Sequence, residues 1–267
     1  MTRAQRVSAS GAPALLLALL TVILAACVGP GGRRTAADAA WNQCRQMVLV
    51  LTDGWDAPRA RMFSFERSAA SWHAVAGPFP VTLGRAGSAW GRGLHPLSGE
   101  GPAKREGDGR SPAGVFAIGS AFGSAPSVNS ALEYLPMHAG SWCVDVSDSP
   151  NYNRIVDTDL VGAAAAAGAS ERMRLDLLDA QDQRYRLGFV IEHNVDQQPM
   201  GGSCIFAHLW KDADTPTAGC TAMAPDTMQQ LLAWLDPVRK PVFVLLPEAA
   251  YWRLQAAWNL PRIGPAS

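Results

Sequence analysis

Apolar positions recur along most of the chain with the two-residue period of a strand. MVLVLT, residues 47–52, is a short apolar run and predicts a buried first strand. ARMFSFERS alternates, with Met62, Ser64 and Glu66 on one side and Phe63, Phe65 and Arg67 on the other. SWHAVAGPFPVTLGR continues with a third strand and a turn at Gly77-Pro78. GVFAIG, YRLGFVIEHN, CIFAHLW and PVFVLLP carry further strand patterns. In YRLGFVIEHN, residues Tyr185, Leu187, Phe189, Ile191 and His193 share a face. In CIFAHLW, Cys204, Phe206, His208 and Trp210 do. One segment follows the helical period instead: Met228, Leu231, Leu232 and Leu235, opened by Pro225 and stopped by Pro237. A shorter helix is expected near the alanines of VGAAAAAGASERMRLDLLDA or after Ser170. Residues 84–114, rich in glycine and proline, predict a long surface excursion of the kind that often serves function. Many strands, many turns and few helices predict a mainly β, sandwich-like domain.

The N-terminus departs from this pattern. Arg3 and Arg6 precede an apolar run from Ala12 to Ala26, short for a membrane span and right for the core of a secretion signal. It ends in Leu24-Ala25-Ala26-Cys27, which resembles the lipobox of bacterial lipoproteins. That resemblance implies cleavage before Cys27, lipidation of its sulfur and anchoring to a membrane. Residues 1–26 are then a signal peptide and 27–44 a flexible tether. Residues 45–250 are expected to form one folded domain and 251–267 a C-terminal tail. Val28 is not the acidic residue tied to inner-membrane retention. The resemblance therefore implies a periplasm-facing protein of the bacterial cell envelope, at the outer membrane.

Composition narrows the partners. The 267 residues carry 23 basic and 23 acidic side chains, and no basic run with interleaved aromatics occurs. This excludes nucleic acid as the main partner. Beyond Cys27 there are Cys44, Cys143, Cys204 and Cys220. An exported chain can oxidise such thiols, and the sequence does not choose among the three full pairings.

The candidate chemistry lies in TPTAGCTAM, residues 215–223. A reactive cysteine needs access, a base and donors for an oxyanion. Gly219 lets the backbone turn tightly before Cys220, and the amides of Cys220, Thr221 and Ala222 could converge on one spot. His208 ends a strand twelve residues earlier, close enough to return to Cys220. Two plainer readings stand beside this one: a buried or disulfide-bonded cysteine, and a histidine packed on a strand face. A zinc site from Cys220, His208 and His193 lacks any supporting spacing, so no metal is expected.

HLWKDADTPTAGCTAM resembles the active-site segment of the L,D-transpeptidase (YkuD) family. KREGDGRSPAGVFAIG resembles an early segment of that family. CVDVSDSPNYNRIVD, LGFVIEHN, GSCIFAHLW and AWLDPVRKPVFVLLP are similar to one of its branches. The resemblance spans residues 45–248. It implies a β-sandwich-like fold, Cys220 as nucleophile, His208 as general base and Gly219 as the residue shaping the oxyanion loop, with Thr217 opening the motif. It also implies peptidoglycan peptide stems as substrate, joined through a thioester without a cofactor. The chain departs from the family at two places. Ala218 stands where a second histidine is usual, and Ala222 and Met223 stand where an arginine is. Arg110, His193, Tyr152 and Asn153 are the candidates to supply the missing substrate contacts, and Thr217 and Thr221 are further substrate-binding candidates. Cys143 and Cys204 both lie in the resembling segments and form the candidate disulfide, with Cys44 as the alternative partner. The rival functions are an L,D-carboxypeptidase or amidase of the same fold, and a non-catalytic wall-binding lipoprotein.

Overall fold

The computed structural model describes residues 41–69, 71–96 and 99–263. The N-terminal apolar run and Cys27 lie outside these residues. Strands are β1 Gln46–Thr52, β2 Arg59–Ser68, β3 Ser71–Thr82, β4 Ser88–Trp90, β5 Ser111–Gly123, β6 Tyr134–Pro136, β7 Ser141–Cys143 and β8 Ile155–Asp157. Helix α1, Thr158–Val161, and β9, Glu171–Arg172, follow. Then come β10 Leu187–Ile191, β11 Phe206–Leu209, β12 Thr221–Met223, α2 Pro225–Trp234, β13 Val242–Pro247 and α3 Glu248–Leu254. The fold is mainly β, as the alternation predicts.

The main sheet runs β10-β11-β12-β3-β2-β1-β13-β5, and β10 pairs again with β5, so the sheet curls round and closes. β7, β8 and β9 form a separate three-stranded sheet. At the centre, β1 pairs in parallel with β13 and antiparallel with β2. Both β1 and β13 are buried along their whole length, which explains the apolar runs at 47–51 and 242–246. α2 closes one side through Met228, Leu231 and Leu232.

Several expectations need correction. Gly77-Pro78 is not a turn but lies within β3, where the pairing with β2 shifts register between Met62 and Phe65. Gly77 has φ +107, and a Cβ there would sit 2.6 Å from the Met62 carbonyl oxygen, so only glycine fits the irregularity. β3 meets β12 only at Val81 and Thr82; among the described residues, 71–80 pair with β2 alone. The excursion 84–114 is not all surface: β4 pairs in parallel with β5, and Trp90 and His95 are buried. The alanine run forms a 3-10 turn at Ala163–Ala166, preceded by α1. Packing also extends beyond both domain limits set from the sequence. Trp41 and Cys44 join the core at one end, and Tyr251 and Leu260 at the other, with the Trp41 indole donating to the Trp258 carbonyl at 2.9 Å. Apolar residues of the supposed tail therefore close the core of the domain.

Candidate active site

β11 and β12 run parallel, with Ala207 opposite Thr221 and His208 opposite Ala222. Cys220 stands one residue before β12. The loop leading to it is stitched to the chain at Gly84: Thr217 N–H donates to the Leu83 carbonyl and Arg85 N–H to the Thr217 carbonyl. The peptide of Cys220 is then fixed from two sides. Thr217 Oγ1 donates to the Cys220 carbonyl at 2.7 Å and Ser111 Oγ at 2.9 Å. Thr217 Oγ1 also accepts the Gly219 N–H at 3.1 Å. A Cβ at Gly219 would lie 3.1 Å from the Arg110 carbonyl oxygen, a close approach that favours glycine.

Cys220 is only 7% exposed, less than a reactive cysteine is expected to be. Its sulfur accepts the Phe206 N–H at 3.3 Å and donates to the Cys204 carbonyl at 3.5 Å. Burial pushes the thiol up to about 12; the Phe206 amide and the Tyr185 hydroxyl pull the other way by hydrogen bonding. His208 lines the same cleft and is also buried, and burial pushes its pKa down to about 4. Its Nδ1 pairs with the Leu209 carbonyl at 2.7 Å, which fixes the proton there and leaves Nε2 as the basic nitrogen. The Tyr185 ring packs edge-on against His208, centroids 5.1 Å apart, and its hydroxyl donates to Glu171 Oε1 at 2.7 Å.

These groups line one cleft of about 800 Å3. Cys220, His208, Gly219 and Thr217 all border it, as do Ala218 and Ala222. So do Tyr185 and Glu171, which sequence reasoning missed, and the cations Lys104, Arg184 and Lys211. The signal for Tyr185 was present only as one apolar position of a strand pattern; Glu171 had none. Ser111 sits in a segment that carried the family resemblance, but nothing in that segment marks it as a clamp on Cys220.

Of the six proposed substrate contacts, Thr217 lines the cleft and the other five do not. The Arg110 guanidinium reaches away to Asp56 at 2.7 Å and to the carbonyls of Trp55 and Ser88, each at 3.0 Å. His193 accepts the Arg92 N–H at Nδ1 and donates from Nε2 to the Gly201 carbonyl. Both nitrogens are engaged, so it cannot complete a zinc set with His208 and Cys220. Tyr152 pairs with Glu106 and accepts the Gly202 N–H at 3.1 Å. Asn153 accepts the Cys204 N–H at 2.9 Å and donates to the carbonyls of His193 and Asn194. Thr221 is buried within β12. Four of these polar side chains satisfy buried backbone or neighbouring charges, a demand that competes with ligand binding.

Cys143 and Cys204 are joined in a disulfide, their Cα atoms 5.9 Å apart, while Cys44 and Cys220 are free and buried. The bridge links β7 to the segment whose carbonyl receives the Cys220 thiol. Residues 56–244 match the model of the YkuD family, the L,D-transpeptidase catalytic domain. The chain belongs to this family. The matched residues include β11, β12 and the whole cysteine loop. Comparisons with curated proteins and with solved structures found no match. As a YkuD domain, the chain has the catalytic fold of enzymes that act on peptidoglycan stems.

Proposed function

We propose that this YkuD domain is a cysteine L,D-transpeptidase that cross-links peptidoglycan peptide stems through a thioester on Cys220. One observation carries the reading: the free Cys220 thiol and the Nε2-basic His208 border the same cleft, within residues matched by the family. The Cys220 sulfur attacks the carbonyl of the donor stem and the C–N bond to its terminal residue breaks. An acceptor amine then attacks the thioester, with His208 as the acid–base group. The Cys220 N–H has no acceptor among the described residues, so it is free to receive the oxyanion. Of the cleft's cations, Lys104 and Arg184 are paired with Asp108 and Asp182, each at 2.6 Å, so Lys211, which has no ion pair among the described residues, is the one left to meet a stem carboxylate in place of the arginine missing at Ala222 and Met223. That Cys220 is outside the disulfide argues against the non-catalytic reading.

Incubation with a purified tetrapeptide-stem muropeptide, followed by mass analysis, tests the function. A cross-linked dimer supports transpeptidation. A shortened stem alone makes the protein a carboxypeptidase. No change across several stem chemistries, from a folded protein, overturns the enzymatic reading. We further propose from the signal run and Cys27 that the protein works at the periplasmic face of the cell envelope on a lipid anchor.

A further inference from the structure

We propose that a second pocket, apart from the cleft of Cys220, binds a sugar ring that carries a carboxylate. The inference stands without the transpeptidase reading, because no residue lines both cavities.

The pocket holds about 550 Å3, within the range of small-molecule sites. It lies where the two ends of the domain meet, bordered by Trp41 and Asn42 on one side and by residues 256–259 on the other. Aromatic rings build it. His95 is buried, its ring centroid 5.6 Å from that of Trp258 and 5.8 Å from that of Trp90. The Trp41 indole N–H is taken up by the Trp258 carbonyl, so what Trp41 brings to the pocket is its ring.

Arg67 supplies the charge. It lines the pocket half-buried, with its guanidinium 5.7 Å from the centre of the Trp72 ring. One nitrogen, Nη1, donates to the Asn42 carbonyl at 3.1 Å, while Nε is buried without a partner. Among the described residues no carboxylate pairs with Arg67. Its neighbour Glu66 belongs to the other face of β2, where Arg239 and Trp234 hold it at 2.6 and 2.7 Å. A half-buried cation with no counter-ion beside aromatic walls favours an anion from outside the chain.

His95 makes a second demand. Val115 N–H donates to its Nδ1 at 3.0 Å, so the proton sits on Nε2, and Nε2 is buried without an acceptor. Only four side-chain atoms of the described residues are buried and unpaired, and two of the four belong to residues of this one pocket. Unpaired buried groups gathered at one cavity point to a partner that the chain does not supply.

These demands select the ligand. A simple anion would meet Arg67 and leave the tryptophans unused. An aromatic acid would stack, but would leave the side-chain amides of Asn42 and Asn259 unpaired; both line the pocket, are exposed, and make no side-chain hydrogen bond among the described residues. A pyranose has apolar C–H faces for the indole rings and polar groups round its edge for the asparagines. A carboxylate on an ether arm adds charge-assisted hydrogen bonds to the guanidinium. An N-acetylated amino sugar with a carboxylic ether satisfies all of these, whether it comes as a free monosaccharide or in a glycan strand stripped of its peptides.

N-acetylmuramic acid and N-acetylglucosamine share the ring and differ in the carboxylic ether, so the pair isolates the part played by Arg67. Titration of the full-length protein, followed by saturation-transfer NMR and tryptophan fluorescence, should show the first binding at least about tenfold more tightly. Arg67→Gln should remove that preference. Ala257→Trp, which fills the pocket from an exposed position on its rim, should exclude both sugars. Lys211→Gln, in the catalytic cleft, should bind as the wild type does, and so should Cys220→Ala. A stem-free glycan tetrasaccharide that binds as well as the monosaccharide supports the site and identifies the strand as its source; refusal of the tetrasaccharide, with the monosaccharide bound, identifies the free sugar. No binding of either sugar by the folded wild type, equal affinity for the two, or a preference that survives Arg67→Gln overturns the proposal. So does a preference lost in Lys211→Gln and kept in Arg67→Gln, which would put the sugar in the catalytic cleft. A wild type that binds the sugar but forms no thioester on any muropeptide keeps this site and overturns the transpeptidase reading.

Discussion

Thr217 Oγ1 lies 2.7 Å from the carbonyl oxygen of Cys220, and so holds the nucleophile's own peptide plane. The same oxygen accepts the Gly219 N–H, so one hydroxyl orders the whole turn. Thr217→Val keeps the shape and removes both bonds. The Cys220 carbonyl keeps Ser111 as a partner, and losing two hydrogen bonds at about 0.5–1.5 kcal/mol each costs about 1–3 kcal/mol. The expected result is a lower melting temperature and turnover down by about tenfold or more, with Cys220 still alkylated; unchanged kinetics would show that the clamp does not set the geometry.

Cys220→Ala should abolish wall-peptide turnover and all thioester formation. Because the sulfur is buried, a small loss of stability, about 1 kcal/mol, should accompany it. Circular dichroism and mass analysis of the muropeptide products check the two halves separately.

Acid should destabilise the fold before carboxylates titrate. His193 and His208 are both pushed down to about 4 by burial, against an ordinary value of 6.5. Between those values the unfolded chain binds more protons than the folded one. The stability held by neutral imidazoles is therefore full above about pH 6.5 and is lost as pH falls through 4. Thermal melts from pH 7 to 4 should show this slope, and His193→Gln should flatten it while lowering stability at pH 7.

Replacing Cys143 and Cys204 by serine should do more than loosen β7. The bridge closes 61 residues of sequence, for which chain entropy gives about 4 kcal/mol. Since the Cys204 carbonyl receives the Cys220 thiol, turnover should fall at temperatures where the variant is still folded. Equal specific activity in the wild type and the double variant would confine the bridge to a stabilising role.

Lipid anchoring is checked at the N-terminus. Mass analysis of the mature protein should find an acylated Cys27, and Cys27→Ser should move the protein from the membrane to the soluble fraction. An unmodified N-terminus beginning elsewhere would exclude the anchor.

The strands were legible because alternation at β2 and β10, and unbroken apolar runs at β1 and β13, report burial directly. Cys220, His208 and Gly219 were legible as candidates because each lies in a short segment with a distinctive spacing. Tyr185 and Glu171 were not: they come from the turn before β10 and from β9, in different sheets, and meet only through tertiary packing. Arg110, His193, Tyr152 and Asn153 misled for a related reason. A polar side chain in a motif looks the same in sequence whether it faces ligand or a backbone carbonyl. Residues 251–263 have no strong period, and only the meeting of Trp258 with Trp41 reveals that they close the core.

The outer stretch of β3 has a bearing on how the protein keeps itself apart from its neighbours. Among the described residues, 71–80 pair with β2 on one side only and are largely exposed, which in most sheets is an invitation for another chain to add a strand. Pro78 and Pro80 withdraw two N–H groups from that rim, and the register shift near Gly77 breaks its regularity. A foreign strand would find no continuous ladder there. Those prolines therefore act as guards against intermolecular β-aggregation, and replacing both with valine would leave the monomer folded but prone to assemble into insoluble stacks.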